Sequence, residues 1–332
     1  MRIRPMNMPG PIRGAAVAAL CIVVLTGCAR RQITREVNAT KERIQTSEQT
    51  PVDVEAALLT WTELAPIATG LAQSRGLALG PDGELYVAGD REVRILNPDG
   101  TLRARFGVEG EPRALDVAAD GTVYVALIEK VLVYDRAGQL VAAWKQPDAR
   151  SYLTCVDVAG DSVWVADAGQ RVILHYDTAG QVTGRIGEAD EARGIPGLVV
   201  PSAYLDVAAG ADGNLRVSNP GRTVVEVYTP DGSLLQSWGK ASMDTDGFSG
   251  CCNPTGIALL PDGSVVTAEK GLPRVKVYGP DGTLLSVVAP PEKFNSAVKG
   301  LDLAVDGAGR VLVLDPMKQQ IRIFERTEGA GE

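Results

Sequence analysis

Histidine is the scarcest chemistry-bearing residue in this chain: His175 stands alone among 332 residues. One imidazole cannot build a histidine metal centre, and no serine, histidine and aspartate fall into a triad pattern. Glycine-rich phosphate loops and spaced cysteine/histidine zinc patterns are missing as well. Positive charge is in deficit. The formal net charge is −8, and binding a phosphate backbone needs a basic face, so no nucleic-acid partner is expected. Long apolar runs are lacking too. The one short run, Ala15–Leu25, is too short to span a bilayer as a helix. Helical periodicity is scarce, and Val, Leu and Ile alternate with polar residues over short runs instead.

What is there is strand and turn. The clearest stretch runs from Gly247 to Thr283 and reads as strands Gly256–Leu259, Ser264–Ala268, Arg274–Tyr278 and Thr283–Ala289. Pro261-Asp262-Gly263 and Gly279-Pro280-Asp281-Gly282 join them. In such turns proline pre-sets φ and glycine supplies the positive φ that a Cβ opposes. The second of these turns recurs with its glycine at Gly100, Gly138, Gly180, Gly232 and Gly282, spaced by 38, 42, 52 and 50 residues. The opening strand recurs six times, as Gly76-Leu77-Ala78, Asp116-Val117-Ala118, Asp157-Val158-Ala159, Asp206-Val207-Ala208, Gly256-Ile257-Ala258 and Asp302-Leu303-Ala304. A four-stranded repeat of roughly 40–50 residues predicts an all-β, six-bladed β-propeller, whose blades bury their faces only against one another.

The repeat also resembles the NHL repeat. Pro254-Thr255-Gly256-Ile257-Ala258 followed by Arg274-Val275-Lys276-Val277-Tyr278 carries the resemblance best, and Gly309–Asp315 with Ile321–Phe324 follows it. The resemblance covers about residues 61–326. It implies the fold and says little of function, because NHL propellers host binding modules and enzymes alike. NHL-like lyases and related lactonases use histidines at the central cavity, and no such set can be assembled here.

The ends predict how the ring closes. The sixth blade offers only Leu301–Val305, Arg310–Leu314 and Gln320–Phe324, while Trp61–Ala68 precedes the first blade without a blade of its own. Trp61–Ala68 is therefore expected as the outer strand of the sixth blade, removing two open sheet edges.

Residues 1–27 read as a secretory leader, with Arg2, Arg4 and Arg13 before the apolar run. Leu25-Thr26-Gly27-Cys28 is similar to a bacterial lipobox, which implies acylation of Cys28 and a lipid anchor rather than a span. Ala29 follows, so an anchor in the outer membrane, facing the periplasm, is expected. Removing the leader takes three arginines and no acid, and −8 becomes −11. Residues 28–56 read as a flexible tether, 57–326 as the propeller and 327–332 as a disordered tail.

Two sets of polar residues, nearly all acids, come to one end of the channel by repeat geometry. Asp116, Asp157, Asp206 and Asp302 open innermost strands, while Asp167, Asn219, Glu269 and Asp315 end second strands. Crowded at one mouth, Asp116, Asp157, Asp206, Asp302, Asp167, Glu269 and Asp315 would suit Ca²⁺, which takes many oxygen ligands. The plainer alternative is that each caps neighbouring backbone N–H groups. Cys251-Cys252 lies in the loop before the fifth blade, open to a vicinal disulfide, a bridge to Cys155, or free thiols that take a soft metal. The loops Gly187–Ser202 and Gly239–Asn253 are long, and long loops on a rigid ring concentrate function. Cys251, Cys252, Asn219 and Glu269 are accordingly expected to meet a small-molecule ligand or protein partner at that mouth. The reading is a lipid-anchored binding or scaffold propeller. The alternative is a Ca²⁺-dependent hydrolase or a redox protein using the cysteines.

Overall fold

In a computed structural model the described residues are 54–327. The expected leader, Cys28, most of the tether and the last residues of the tail lie outside them. The described chain forms a six-bladed β-propeller in which every blade is an antiparallel sheet. The first five blades each run inner to outer through four consecutive strands. In the first these are Ser74–Leu79, Leu85–Gly89, Glu92–Leu96 and Leu102–Gly107. In the fifth they are Gly256–Leu259, Val265–Ala268, Val275–Tyr278 and Leu284–Ala289.

The sixth blade closes the ring. Its strand Gln320–Arg326 pairs with Trp61–Glu63 (Trp61 opposite Arg326) and then with Ile67–Ala68 (Ile67 opposite Ile321). The interruption between the two segments contains Pro66, which cannot donate to a ladder and is tolerated on an edge strand. A short 3₁₀ turn, Ala56–Leu58, precedes this closure.

Apolar clusters fill each of the six spaces between neighbouring blades. The middle residues of the second strands, Val87, Val125, Val165, Val217, Thr267 and Val313, are all completely buried. Each second strand is thus buried at its centre, and no blade hides its surface without two neighbours. At the rim the outer strand of one blade packs on the third strand of the next. Trp144 stacks on Tyr176 with centroids 4.8 Å apart, and Trp238 meets Tyr278 at 5.0 Å.

The recurring turns serve this packing. Asp281 Oδ1 accepts the N–H of Thr283 at 3.0 Å, and Asp99 Oδ1 that of Thr101 at 2.9 Å, so the aspartate of Pro-Asp-Gly clasps its own turn. Gly180 sits at φ +82°, and a Cβ there would fall 2.4 Å from the Trp144 ring. The glycine is required both by the turn and by the indole laid across it.

Candidate functional site: the central channel

The inner strands surround a cavity of ≈ 740 Å³ on the propeller axis. Small side chains keep it open: Ala78, Ala114, Ala208, Ala258 and Ala304 line it. So do Asp116, Asp157, Asp206 and Asp302, in the ring that the repeat predicts.

Each of these aspartates reaches across to the next blade. Asp116 Oδ2 accepts the Val158 N–H at 2.7 Å, Asp157 Oδ2 the Ala209 N–H at 3.0 Å, and Asp206 Oδ2 the Ile257 N–H at 2.7 Å. Asp302 Oδ2 accepts the Leu77 N–H at 2.7 Å and carries the pattern across the closure of the ring. The carboxyls remain half-exposed to the cavity, yet protein surrounds them on the other sides. Burial raises Asp116 and Asp206 to about 6. Burial, with the field of Asp206 and Asp116 added, raises Asp302 to about 7. Burial and the same kind of repulsion push Asp157 well up. Cys155 shares the wall. Its Sγ donates to Val207 O at 3.5 Å, and burial pushes the thiol up.

The second expected set is elsewhere. Asp167, Asn219, Glu269 and Asp315 are buried and do not line the cavity. Asp167 Oδ1 accepts the N–H groups of Tyr152, Gly169 and Gln170. Asn219 Oδ1 accepts the Val199 N–H, and Asp315 Oδ1 accepts those of Met317 and Lys318. Glu269 binds Ser249 N–H through Oε2 and pairs through Oε1 with Arg274 Nε at 2.6 Å and Lys276 Nζ at 2.8 Å. The seven acids expected at one mouth therefore form no single cluster. Among the described residues no three His, Cys, Asp or Glu side chains converge to hold a metal ion, so the expected Ca²⁺ site has no ligand set. The physical reason is that backbone N–H groups of the adjoining loops and blades take the oxygens first.

The two long loops are seated rather than open. Phe248 is fully buried between Trp238 and Tyr278, and Arg274 and Lys276 donate to Gly247 O from beneath. Burial brings Lys276 down to about 8 despite its partner Glu269. In the other loop Ile195 and Leu198 join the cluster around Trp164. Cys251 and Cys252 are thiols with sulfurs 3.5 Å apart, Cys251 exposed, and neither lines the cavity. Cys155 is a third thiol rather than their bridge partner. His175 is half-buried, stacks on Trp164 at 3.9 Å and bonds Ser162 Oγ at 2.9 Å, away from the cavity.

The mouth itself is basic and aromatic, which the acid-centred reading did not anticipate. Arg75, Arg113 and Lys299 line it from the first, second and sixth blades. Tyr204 comes from the loop before the fourth blade, and its ring extends to Gly300 before the sixth; a Cβ on Gly300 would lie 3.5 Å from it. Lys270 Nζ stands 4.3 Å from the Tyr204 ring centroid, and Arg113 5.3 Å from that of Tyr152. Burial raises the Tyr204 hydroxyl while the charges of Arg113 and Arg75 pull it back. One signal was available in the sequence. Aligned on their aspartates, Arg113 and Lys299 occupy one repeat position, three residues before Asp116 and Asp302.

No family model matches the sequence, and no curated protein does. Solved structures do match the fold. A streptogramin B lyase superposes with a TM-score of 0.59 at 11% identity, covering 82% of this chain and 100% of that one. A virginiamycin B lyase from Staphylococcus aureus gives 0.56 at 13% identity, covering 80% and 98%. The WD40 propeller domain of Doa1 gives 0.55 at 15% identity, covering 77% and 80%. At these identities the likeness establishes the propeller and nothing of its chemistry.

Proposed function

We propose that the chain is a lipid-anchored, extracytoplasmic propeller of NHL type that binds a small ligand or a segment of a protein partner in its central channel. The observation that carries this reading is the cavity of ≈ 740 Å³, opened by alanines and ringed at its mouth by Arg75, Arg113 and Lys299. Among the described residues that line it there is no histidine. The lone histidine is occupied by Ser162 and Trp164, and the carboxyls are tied to neighbouring blades. A rigid ring with a polar, sided cavity is a scaffold for recognition. The lipobox-like Leu25–Cys28 supports the anchor at the outer membrane, facing the periplasm.

A melting-temperature screen of the purified full-length protein against anionic, cationic and zwitterionic small molecules tests the channel, with Arg113→Glu as the control. A compound that raises the melting temperature of the wild type and not of the variant supports the reading. No shift with any compound overturns it. Cys28→Ala should move the protein from the membrane to the soluble fraction, and retention in the membrane would refute the anchor.

A further inference from the structure

Adjacent thiols stand at the end of the loop Gly239–Asn253, outside the channel. Cys251 and Cys252 hold their sulfurs 3.5 Å apart, one thiol donating to the other. Cys251 is exposed and Cys252 half-buried. Among the described residues the third thiol, Cys155, lies in the channel wall and donates to Val207 O. The sulfur within reach of each member of the pair is therefore its neighbour's. The contact with Cys252, and the charge of Cys252, hold the Cys251 thiol above its ordinary value, while the charge of Lys270 works the other way. Such a pair loses one proton before the other and presents a thiolate beside a thiol.

The backbone is held unequally on the two sides of the pair. On one side Gly250 is exposed at φ +67°, with nothing within 4 Å of the place a Cβ would take. On the other side Asn253 is buried and clamps the loop that follows the second strand of the fifth blade. Its Oδ1 accepts the Lys270 N–H at 2.9 Å, and its Nδ2 donates to Lys270 O at 2.9 Å and to Ser249 O at 2.6 Å. Lys270 reaches on to the channel mouth. Its Nζ donates to Ser202 Oγ at 2.9 Å and stands 4.3 Å from the ring centroid of Tyr204, which lines the cavity. Asn253 and Lys270 thus connect the sulfurs to the aromatic lip of the channel.

Joining the sulfurs forces a change on this backbone. Consecutive Cα atoms stand ~3.8 Å apart across a trans peptide, and a disulfide ordinarily bridges Cα atoms ~4.4–6.8 Å apart. Side-chain rotation alone does not make up that difference, so the backbone of Cys251 and Cys252 must move. Gly250 gives freely, and Asn253 is the first fixed group on the other side.

We infer that Cys251-Cys252 is a redox modification site, closed to a vicinal disulfide by a small-molecule disulfide, and that its closure loosens the Asn253 clamp on Lys270 at the channel mouth. The exposed Cys251, as thiolate, attacks one sulfur of the small disulfide. An S–S bond forms to Cys251, and the other half of the reagent leaves as a thiolate. Cys252 then loses its proton, attacks Cys251 Sγ and expels the second half. The two cysteines give up two electrons and two protons, and the small disulfide becomes two thiols. This chemistry does not depend on whether the channel binds a ligand.

Oxidised glutathione is the probe, applied to the reduced full-length protein and followed by N-ethylmaleimide and peptide mapping. The peptide carrying Cys251 and Cys252 should end with neither maleimide nor glutathione attached. Cys252→Ser should stop after the first exchange and keep glutathione on Cys251; its melting curve, unchanged in the reduced state, verifies the fold. Two maleimides on the wild-type peptide overturn the site. So does glutathione retained there, or a bridge from either residue to Cys155. Hydrogen–deuterium exchange reads the link to the mouth. Oxidation should speed exchange of the Lys270 amide by about fivefold, as one hydrogen bond is lost, and Cys252→Ser treated alike should show no such change. Unaltered exchange at Lys270 in the oxidised wild type overturns the link.

Discussion

Four of the six spaces between blades are latched near the axis by an aspartate, and two are not. The latched ones join the second blade to the third, the third to the fourth, the fourth to the fifth and the sixth to the first. The other two have glycine at the same repeat position, Gly76 and Gly256. There the backbone itself closes the gap. A Cβ on Gly76 would stand 2.8 Å from Leu115 Cδ2 and 3.1 Å from Ala114 Cα, and one on Gly256 3.2 Å from Leu301 O. One repeat position thus solves the same problem in two ways. Where the strands stand apart, a carboxylate bridges them; where they come together, any side chain is in the way.

The contrast can be broken from several directions. Truncation at Met317 should do the most damage, because it removes the strand on which Trp61–Glu63 and Ile67–Ala68 pair. The Asp302 latch alone cannot close the ring, and the sharp melting transition should be lost; a melting curve like that of the full chain would contradict this. Gly76→Leu comes next. It forces a side chain into the closest approach between inner strands, and chemical denaturation should register a loss toward the upper end of ~1–3 kcal/mol. Asp206→Ala is expected to cost less, within ~1–3 kcal/mol, because it leaves the Ile257 N–H without its acceptor while opening space rather than filling it. If Asp206→Ala proves costlier than Gly76→Leu, the two kinds of closure have been ranked wrongly.

The smallest effect is that of pH. The ordinary carboxyl value is 3.8, and Asp116 and Asp206 stand at about 6 and Asp302 at about 7. Between those values the folded ring binds protons that the unfolded chain has released. Stability contributed by the ring should therefore rise as pH falls from 7 to about 5 and decline as pH rises through 6 to 7. His175, whose burial lowers its value, opposes this as a single group. Below pH 4 the trend reverses, as surface carboxylates such as Asp212, held at about 2 first by Arg216, lose their partners. Asp302→Asn should flatten the neutral part of the profile, and equilibrium unfolding at pH 5, 6 and 7 measures it.

The fold was legible because its signals are local and repeated. Pro-Asp-Gly turns and alternating strands lie within a few residues of the feature they specify, and the count of repeated strands exposes the blade short of one, whose partner Trp61–Glu63 lies at the other end of the propeller. The ring of inner aspartates was legible as positions but not as partners. Whether Asp157 meets a cation or the Ala209 N–H depends on how one blade sits against the next, and that offset is not written in either strand. Glu269 shows the same difficulty. Its acid reads as a ligand until Arg274 and Lys276 are found buried beside it. Arg113 and Lys299 escaped notice because they break the repeat in only two blades, where charge looks like ordinary surface variation.

The closure of the ring has a topological consequence. Thr327 N–H donates to Thr60 O at 2.9 Å, so the two ends of the propeller run side by side. The first blade is first only in the order of synthesis. A short linker joining residue 327 to residue 60, with the chain reopened at the exposed outer turn Pro230-Asp231, would convert every blade but the opened one into an interior one and move the seam to the fourth.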